Sequence, residues 1–453
     1  MKKSFLVTIL LLLLSVGGIC ASFYIVDAKQ NALTIKETVL FGDKAAAEGI
    51  QVAYRMNEQK QLFWDAEYTV GERSTVHTKY RFTQVRQPDD RRVFPNVRIS
   101  DPIGFKLSAS VADLKTPSLK NFERSSYVSK PAEEVETRTM PGETREETFF
   151  IRDYCEFYPI TMQVYIPIDD RQKIGETEVV AFDWKCSDYF KIPISPMHKI
   201  KVAVTKDEMG KTLEVTSESD SGDINFMPQV VRTTSGLFCT LTLNDAHTGE
   251  NVPMPQELSG IHFIPMEDIQ DNHEPKSARM VYPLNPQTTR VVRLEKSFTQ
   301  EQLLLLTEEN DQIMLSVLSA DGKQLLHKME VCKAARKAEV LAIKQYDKLS
   351  MICFSDGTFV LLTNDTSGVY AVAMRGSFKE FKPIAEILDT MALDYDGRRL
   401  AVVCYQCERR YGTYLLVYEK NALRYAGQYN PTIDSIPTPW NEQNTDSLSV
   451  RCK

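Results

Sequence analysis

Two cysteines three residues apart, Cys404 and Cys407, form the CxxC pattern that redox and metal sites use. A redox CxxC begins a helix, where the helix dipole lowers the pKa of the first thiol. Here the pair ends the apolar run RLAVVCYQC, which is typical of a strand, and residues three apart in a strand face opposite sides. The pattern therefore favours structural cysteines. Cys332 and Cys353 also lie in apolar strand-like runs, which indicate buried free thiols.

Pairs of acidic residues are the next chemical signal, because glycosidases place two carboxyl groups around the scissile bond. Asp183 with Asp188, and Asp153 with Glu156, could supply such a pair, and the aromatic residues within 154–158 could stack on a sugar ring. The chain has 61 acidic residues, so close pairs also arise by chance. Aromatic residues in a strand are more typical of a core.

Histidine and calcium patterns are weak, since none of the six histidines lies within four residues of another: His77, His198, His247, His262, His273 and His327. His273 precedes Glu274 in a polar run that is typical of an exposed loop. The acidic loop around Asp220 and Asp223 lacks the EF-hand spacing. No nucleophile elbow, HExxH, GxGxxG or Walker A pattern occurs in the sequence. We therefore predict no catalytic, cofactor-binding or metal-binding residue.

The element that positions the rest of the chain is the uncharged apolar segment Phe5–Val26. A helix of this length reaches about 33 Å, enough to cross the roughly 30 Å hydrocarbon core of a bilayer. Lys2 and Lys3 precede it, so the positive-inside tendency places residues 1–4 in the cytoplasm and the body outside. We expect an uncleaved single-pass transmembrane helix whose partner, along residues 5–26, is the lipid bilayer.

Three other interpretations of this segment stay open. A cleaved signal peptide would have a shorter apolar run and a small-x-small cleavage site, whereas Ile19-Cys20-Ala21 begins with a bulky residue. A lipoprotein signal needs a small residue before the modified cysteine, but Ile19 stands before Cys20. A buried core helix needs a polar face, and the run Phe5–Ser15 has almost none.

The composition indicates a large globular body. The chain has 453 residues, of which 43% are hydrophobic and 25% charged, so most of it can bury a core. Its net charge of -7 argues against a nucleic-acid partner, because phosphate binding needs a clustered positive field. The length that remains beyond the apolar segment suggests two or three domains.

Strand signals dominate this body. Residues 27–48 are predicted to form a juxtamembrane stalk, because they alone show plausible helical spacing. Residues 49–189 predict a β-rich domain, and residues 190–430 predict a propeller-like domain, with a boundary near residue 285 as the alternative. Residues 431–453 are predicted to be a polar tail.

Beyond residue 287 the strands recur in three groups of four, which begin with TRVVRLEK, AEVLAIKQ and DTMALDYD. Asp-Gly pairs at 321–322, 356–357 and 396–397 mark tight turns within them. Four-strand units that repeat every 40 to 50 residues or so are the blades of a β-propeller. Three blades are too few to close a ring, so we expect others within residues 190–282. A curved sheet or a sandwich is the alternative.

On strand number, spacing and Asp-Gly turns, residues 288–430 resemble the irregular propeller repeats of bacterial cell-surface proteins. The WD, GH and kelch double-glycine signatures are missing. With its apolar N-terminal segment, the chain resembles membrane-anchored exoproteins of Gram-positive bacteria, a resemblance that implies no activity. The predicted fold class is all-β, with an N-terminal transmembrane helix, a β-rich membrane-proximal region and C-terminal propeller-like repeats.

Two functions follow from these expectations. The first is a membrane-anchored, extracytoplasmic binding or scaffold protein that docks a protein or a glycan. The second is a surface hydrolase that acts on a glycan through carboxylates in a propeller funnel, a site that leaves no local motif. We favour the first, because the sequence has an anchor and a β-rich body but no catalytic pattern.

Overall fold

The structure is a computed structural model of the chain. It describes residues 2–28, 33–58, 62–72, 104–108, 114–116, 126–158, 160–168, 178–185, 189–221, 224–233, 235–245, 248–265, 277–297, 302–334, 339–346, 348–365, 368–379, 388, 391–406, 412–433 and 443–452.

Long strands and two α-helices make up the described chain. The elements of the first part are α1 (Lys2–Ala28), β1 (Leu33–Gly42), β2 (Gln51–Glu58), β3 (Leu62–Thr69), β4 (Gly104–Ser108), β5 (Leu114–Thr116), α2 (Ser126–Arg138), β6 (Thr144–Phe150), β7 (Thr161–Ile168) and β8 (Glu178–Lys185). Those of the middle part are β9 (Lys199–Lys206), β10 (Thr212–Ser221), β11 (Ile224–Arg232), β12 (Gly236–Asp245), β13 (Asn251–Val252), β14 (Gly260–Pro265), β15 (Arg279–Pro283), β16 (Thr289–Lys296), β17 (Leu303–Glu309), β18 (Gln312–Leu318) and β19 (Leu325–Lys333). The last part contains β20 (Val340–Gln345), β21 (Leu349–Phe354), β22 (Thr358–Asn364), β23 (Tyr370–Ser377), β24 (Ala392–Tyr395), β25 (Arg399–Gln406), β26 (Gly412–Glu419), β27 (Ala422–Ile433) and β28 (Gln443–Arg451).

The first of two compact units comprises Met1–Val97 and Lys337–Lys453. One of its antiparallel sheets has the order β20-β21-β22-β23, so neighbours in sequence are neighbours in the sheet. Another has the order β1-β27-β26-β25-β24, in which the first strand of the chain completes a sheet of four late strands. In the sheet β28-β2-β3, the last strand of the chain pairs with β2. Both ends of the chain are therefore held by strand pairing within this unit.

The second unit comprises Arg98–Arg336. It holds the sheets β16-β17-β18-β19, β5-β10-β9-β6 and β4-β7-β8, and a sheet of order β11-β12-β14-β15 to which β13 adds. Helix α2 packs on the sheet that contains β9, where Ala132 and Val135 join its buried core. All strand pairs in these sheets are antiparallel, as expected for strands joined by short turns.

Some of these strands are continuous apolar runs because other side chains pack against both faces of their sheet. In β25, Leu400 and Val402 belong to a core shared with β21 and β22, whereas Ala401 and Val403 belong to a core shared with β2 and β27. Successive side chains of a strand point to opposite faces, so an unbroken apolar run fills two cores. Each fully buried leucine contributes about 1.5–3 kcal/mol.

No part of the apolar window of helix α1 is buried. The window Val7–Tyr24 has a mean hydropathy of 2.2 and is apolar and long enough to cross a membrane. A core helix would bury this surface, so the buried-core interpretation of the segment is wrong.

The all-β fold class is confirmed by these sheets. Each of the three C-terminal groups of four strands pairs in the up-and-down order of a propeller blade: β16–β19 and β20–β23 each form a four-stranded sheet, and β24–β27 form a sheet to which β1 adds a fifth strand. Gly322, Gly357 and Gly397, at the predicted Asp-Gly turns, have positive φ values. The divisions predicted at 189/190 and near 285 both lie inside the second unit.

Two predicted segments differ from the structure. The stalk interval 27–48 contains no long helix after Ala28, because Leu33–Gly42 pairs with β27 and only Lys44–Ala47 form a short 3₁₀ helix. The polar tail interval 431–453 contains β28, which pairs with β2 from Gln51 to Glu58. Both strands receive their hydrogen bonds from distant partners, so their own composition does not reveal them.

Candidate functional site

The strongest cluster of titratable side chains in the second unit joins Tyr189, His262 and Cys239. Strands β12 and β14 pair so that Cys239 lies opposite His262. The Tyr189 hydroxyl lies 2.8 Å from His262 Nδ1, and His262 Nε2 lies 2.9 Å from the Leu258 carbonyl oxygen. Because a carbonyl only accepts, Nε2 carries the imidazole proton and Nδ1 accepts the proton of Tyr189. Both nitrogens of this imidazole are therefore satisfied.

Burial opposes proton transfer within this pair. It lowers the pKa of His262, against the effect of the hydrogen bond to Leu258, and it raises the pKa of Tyr189. A general base that activates a nucleophile needs shifts in the opposite directions. The Phe190 ring also packs edge-on against His262, with 5.1 Å between ring centroids. The pair therefore has a structural role: it holds the segment that precedes β9 against strand β14.

A second tyrosine–histidine pair lies in the same unit and is completely buried. The Tyr158 hydroxyl lies 3.1 Å from His198 Nδ1, and the two side chains are 1% and 0% exposed. Tyr158 belongs to the aromatic run considered above for sugar stacking, and its burial confirms the core interpretation. Tyr154, in the same run, donates a hydrogen bond to Glu134 at 3.0 Å. The Tyr158 ring therefore has no free face on which a sugar could stack, whereas Tyr154 is half-buried.

The described carboxyl groups whose pKa is shifted are all shifted downward. Asp153 and Glu156 are exposed, and the side chains of Asp183 and Asp188 lie outside the described residues. A glycosidase acid needs a raised pKa. Where the pKa of a described carboxyl departs from its ordinary value it is instead lowered, because hydrogen bonds and nearby cations outweigh burial, as at Glu147, Glu309, Asp321, Asp356, Asp396 and Glu419.

Only one cysteine of the CxxC pattern lies in the described part of the chain. Cys404 is buried in β25, opposite Tyr414, and burial raises its pKa to about 12, whereas Cys407 lies outside the described residues. Cys353 is a buried thiol as predicted, whereas Cys332 is only half-buried, and neither forms a disulfide. Within the described ranges, no three His, Cys, Asp or Glu side chains are placed to hold a metal ion. Asp223, His273 and Glu274, the other loop residues considered in the sequence, lie outside those ranges.

A polar cluster in the first unit joins β1 to β27 and β3. The Tyr425 hydroxyl donates to Glu37 Oε1 at 2.9 Å, and the hydroxyl oxygens of Tyr425 and Tyr429 lie 2.7 Å apart. Lys44 forms an ion pair with Glu37, and the ring of Tyr68 packs on Tyr429 with 4.6 Å between centroids. We call Glu37, Lys44, Tyr68, Tyr425 and Tyr429 the β1 clasp. It lies where the chain that leaves α1 enters the body.

The hydroxyls of Tyr425 and Tyr429 in the β1 clasp stay protonated. Burial raises the pKa of Tyr429 to about 12, with the charge of Glu37 acting in the same direction, and burial also raises the pKa of Tyr425. Both hydroxyls therefore remain donors at neutral pH. Gly427 makes room for them, because a Cβ there would lie 2.1 Å from Tyr425 Oη. Hydrogen bonds to a charged group contribute about 1.5–3 kcal/mol each.

Sequence reasoning did not find the β1 clasp. Its members are separated by most of the chain, since Glu37 and Tyr425 are 388 positions apart. One local signal was present: Tyr425, Gly427 and Tyr429 alternate along a strand, so they share a face and the glycine leaves space between two aromatic rings.

No family model matches the chain, and no curated protein matches its sequence. Among solved structures, the periplasmic gluconolactonase of Pseudomonas aeruginosa is 11% identical, with 85% of this chain and 99% of that chain covered and a TM-score of 0.28. A putative 6-phosphogluconolactonase from Bacteroides uniformis is 10% identical, with 58% and 80% covered and a TM-score of 0.23. Hsv2p of Kluyveromyces lactis is 7% identical, with 61% and 93% covered and a TM-score of 0.22. Scores this low assign neither an activity nor a ligand to this chain.

Proposed function

We propose that the chain is a membrane-anchored protein whose β body binds a protein or glycan partner on the outer side of the membrane. Helix α1 carries the proposal, because its window Val7–Tyr24 is apolar and unburied. Leu10, Leu12 and Leu14 are 57%, 63% and 65% exposed, which only a lipid or protein environment outside the fold would cover at low cost. Membership of the anchored exoproteins of Gram-positive bacteria is part of this proposal.

The orientation rests on charge. Lys2 and Lys3 precede the apolar window, and cytoplasmic flanks of membrane helices carry an excess of lysine and arginine. The body then lies on the extracytoplasmic side. There the β1 clasp fixes β1, the first described strand after the anchor, to β27 of the sheet β1-β27-β26-β25-β24.

Binding is favoured over catalysis by the partners of two buried histidines and by the direction in which the pKa of some described carboxyl groups is shifted. The histidines His198 and His262 are buried in pairs with tyrosines, and the shifted carboxyl groups are ionised more readily than usual. Those states suit structural hydrogen bonds and ion pairs. They do not suit a general acid that protonates a leaving group near neutral pH.

Membrane retention of the full chain tests the anchor. Bacterial membranes that carry the chain are washed with alkaline carbonate, which removes peripheral proteins. The test variant L11R/L13R places two charges at the centre of α1, each costing about 2.5–3.5 kcal/mol in the membrane. The matched control L325R/L326R charges two residues of β19 that are 41% and 46% exposed.

We expect the wild-type chain and the β19 control to stay in the membrane pellet, and the α1 variant to be released. Protease added to intact cells should then digest the body of the wild-type chain. Release of the wild-type chain by carbonate, or survival of its body in protease-treated intact cells, would contradict the proposal.

A further inference from the structure

Strand β1 exposes three consecutive apolar side chains. Val39, Leu40 and Phe41 are 50%, 39% and 46% exposed. Outside α1, no other run of three exposed large apolar residues occurs in the described part of the chain. We call these residues the β1 patch. A patch of this kind in an otherwise well-packed sheet indicates a surface that another apolar phase covers.

A bulge shapes the β1 patch. Val39 pairs with Gly427 and Phe41 pairs with Ala426, so Leu40 is an extra residue without a partner position on β27. A bulge interrupts the strict alternation of side chains, which lets neighbouring residues be exposed together. It also twists and breaks the free edge of β1, which makes this edge a poor template for a strand from a second copy.

The backbone that carries the β1 patch is fixed by strand pairing and by a side-chain hydrogen bond. Strand β1 pairs with β27 from Leu33 to Gly42, and Glu37 within it accepts the hydrogen bond of Tyr425. The apolar side chains are therefore presented by a fixed backbone. Docking on a surface then costs little conformational entropy, because the strand is already ordered.

The position of the β1 patch in the chain selects its occupant. Five peptide steps join Ala28, the end of α1, to Leu33, so the start of β1 lies within about 18 Å of the helix end. By the same measure, Val39 lies within about 40 Å of it. Exposed Lys36 precedes the patch, and exposed Asp43 and Lys44 follow it, with Lys44 paired to Glu37. A cation beside apolar side chains, as Lys36 is here, is typical of surfaces that meet lipid headgroups.

We propose that the β1 patch docks on the bilayer that α1 spans, with Val39, Leu40 and Phe41 entering the boundary between headgroups and acyl chains. This inference rests on the proposed anchor. It adds a second contact with the membrane, and that contact would hold the β body at a fixed orientation on the surface rather than on a free tether.

Fluorescence of the full chain in nanodiscs tests this contact. The discs contain phosphatidylcholine and phosphatidylglycerol, either unlabelled or with bromine on the acyl chains, which quenches indole emission at short range. F41W places an indole in the patch, and V369W is its matched control, since Phe41 and Val369 are 46% and 45% exposed in the same unit. Emission of the wild-type chain, which has three tryptophans, is subtracted.

We expect brominated lipid to reduce the added emission of F41W, with a blue shift, and to leave that of V369W unchanged. Unchanged F41W emission in discs that retain the chain overturns the patch proposal and leaves the anchor standing. Protection of the F41W indole from aqueous iodide without quenching by brominated lipid also overturns it, because another occupant, such as a second copy, then covers the patch. Failure of the wild-type chain to enter the discs overturns the anchor and the patch together.

Discussion

Replacing Gly427 by alanine should loosen β1 from the sheet. An added Cβ would lie 2.1 Å from Tyr425 Oη and 2.6 Å from Tyr425 Cζ, whereas real Cβ contacts under 3.0 Å essentially do not occur. The Tyr425 ring must therefore move. Its hydroxyl then leaves Glu37, and the β1 clasp loses its 2.9 Å hydrogen bond.

The size of this effect follows from two costs. Forcing an extra methyl group into a packed site costs about 1–3 kcal/mol. Losing a hydrogen bond to a charged group costs about 1.5–3 kcal/mol. Because the ring relaxes partly, we expect a total of about 3 kcal/mol. At about 1.4 kcal/mol for each factor of ten, the local opening of β1 becomes roughly 100-fold more populated.

Hydrogen–deuterium exchange of the full chain in detergent measures this opening directly. We expect peptides of Leu33–Gly42 to exchange about 100-fold faster in G427A, while peptides of Lys199–Lys206, in the other unit, keep their wild-type rates. In a Y425L background the added Cβ has no ring to displace, so G427A should change the exchange of β1 by less than about tenfold. Equal acceleration in both backgrounds, or none in either, would refute the role of the clasp.

Two further predictions concern groups whose protonation is shifted by burial. Because burial lowers the pKa of His262 from 6.5, the unfolded chain binds this proton more readily. The contribution of His262 to stability is therefore complete above about pH 6.5 and is lost as the pH falls towards the lowered folded-state pKa. Thermal unfolding between pH 5 and 8 should show this loss in the wild-type chain and a weaker pH dependence in H262Q. H262Q should also be destabilised by about 1–3 kcal/mol, because the amide replaces the imidazole that bonds Tyr189 and the Leu258 carbonyl together. If H262Q leaves the pH dependence unchanged, His262 is not the source of the stability loss at low pH. For the thiols of Cys353 and Cys404, whose pKa burial raises to about 12, we expect no alkylation by iodoacetamide at pH 8 in the folded chain and complete alkylation in denaturant. Mass spectrometry of the two peptides decides this, and rapid alkylation of either folded thiol would show that the site is open.

The C-terminal sheets could be predicted from the sequence because their information is local. Strands β16–β19 and β20–β23 pair with their neighbours in sequence through short turns, and apolar runs such as Leu303–Leu306 mark strands with both faces covered. The Asp-Gly turn at Gly357 links β21 to β22 with a positive φ, the conformation that glycine adopts without strain.

The ends of the body could not be predicted in this way. In β1, Lys36, Glu37 and Thr38 interrupt the apolar pattern, and the KAAA that follows favours a helix by propensity. The strand forms because it pairs with β27, which lies near the other end of the sequence. In β28 the sequence QNTDSLSVR is almost entirely polar. The roles of His262 and Tyr158 could not be predicted for a different reason: their burial and hydrogen-bond partners, which place them in the core, come from residues far away in the sequence.

The mature N-terminus of the protein purified from membranes tests the anchored architecture most directly. An uncleaved α1 predicts an intact mass that corresponds to a chain beginning at or next to Met1, with a protected fragment that includes Val7–Tyr24 after protease treatment of intact cells. A mature chain that begins near Ala21 or Ser22 would contradict the account, because the apolar segment would then be a removed signal sequence and the body would have no anchor.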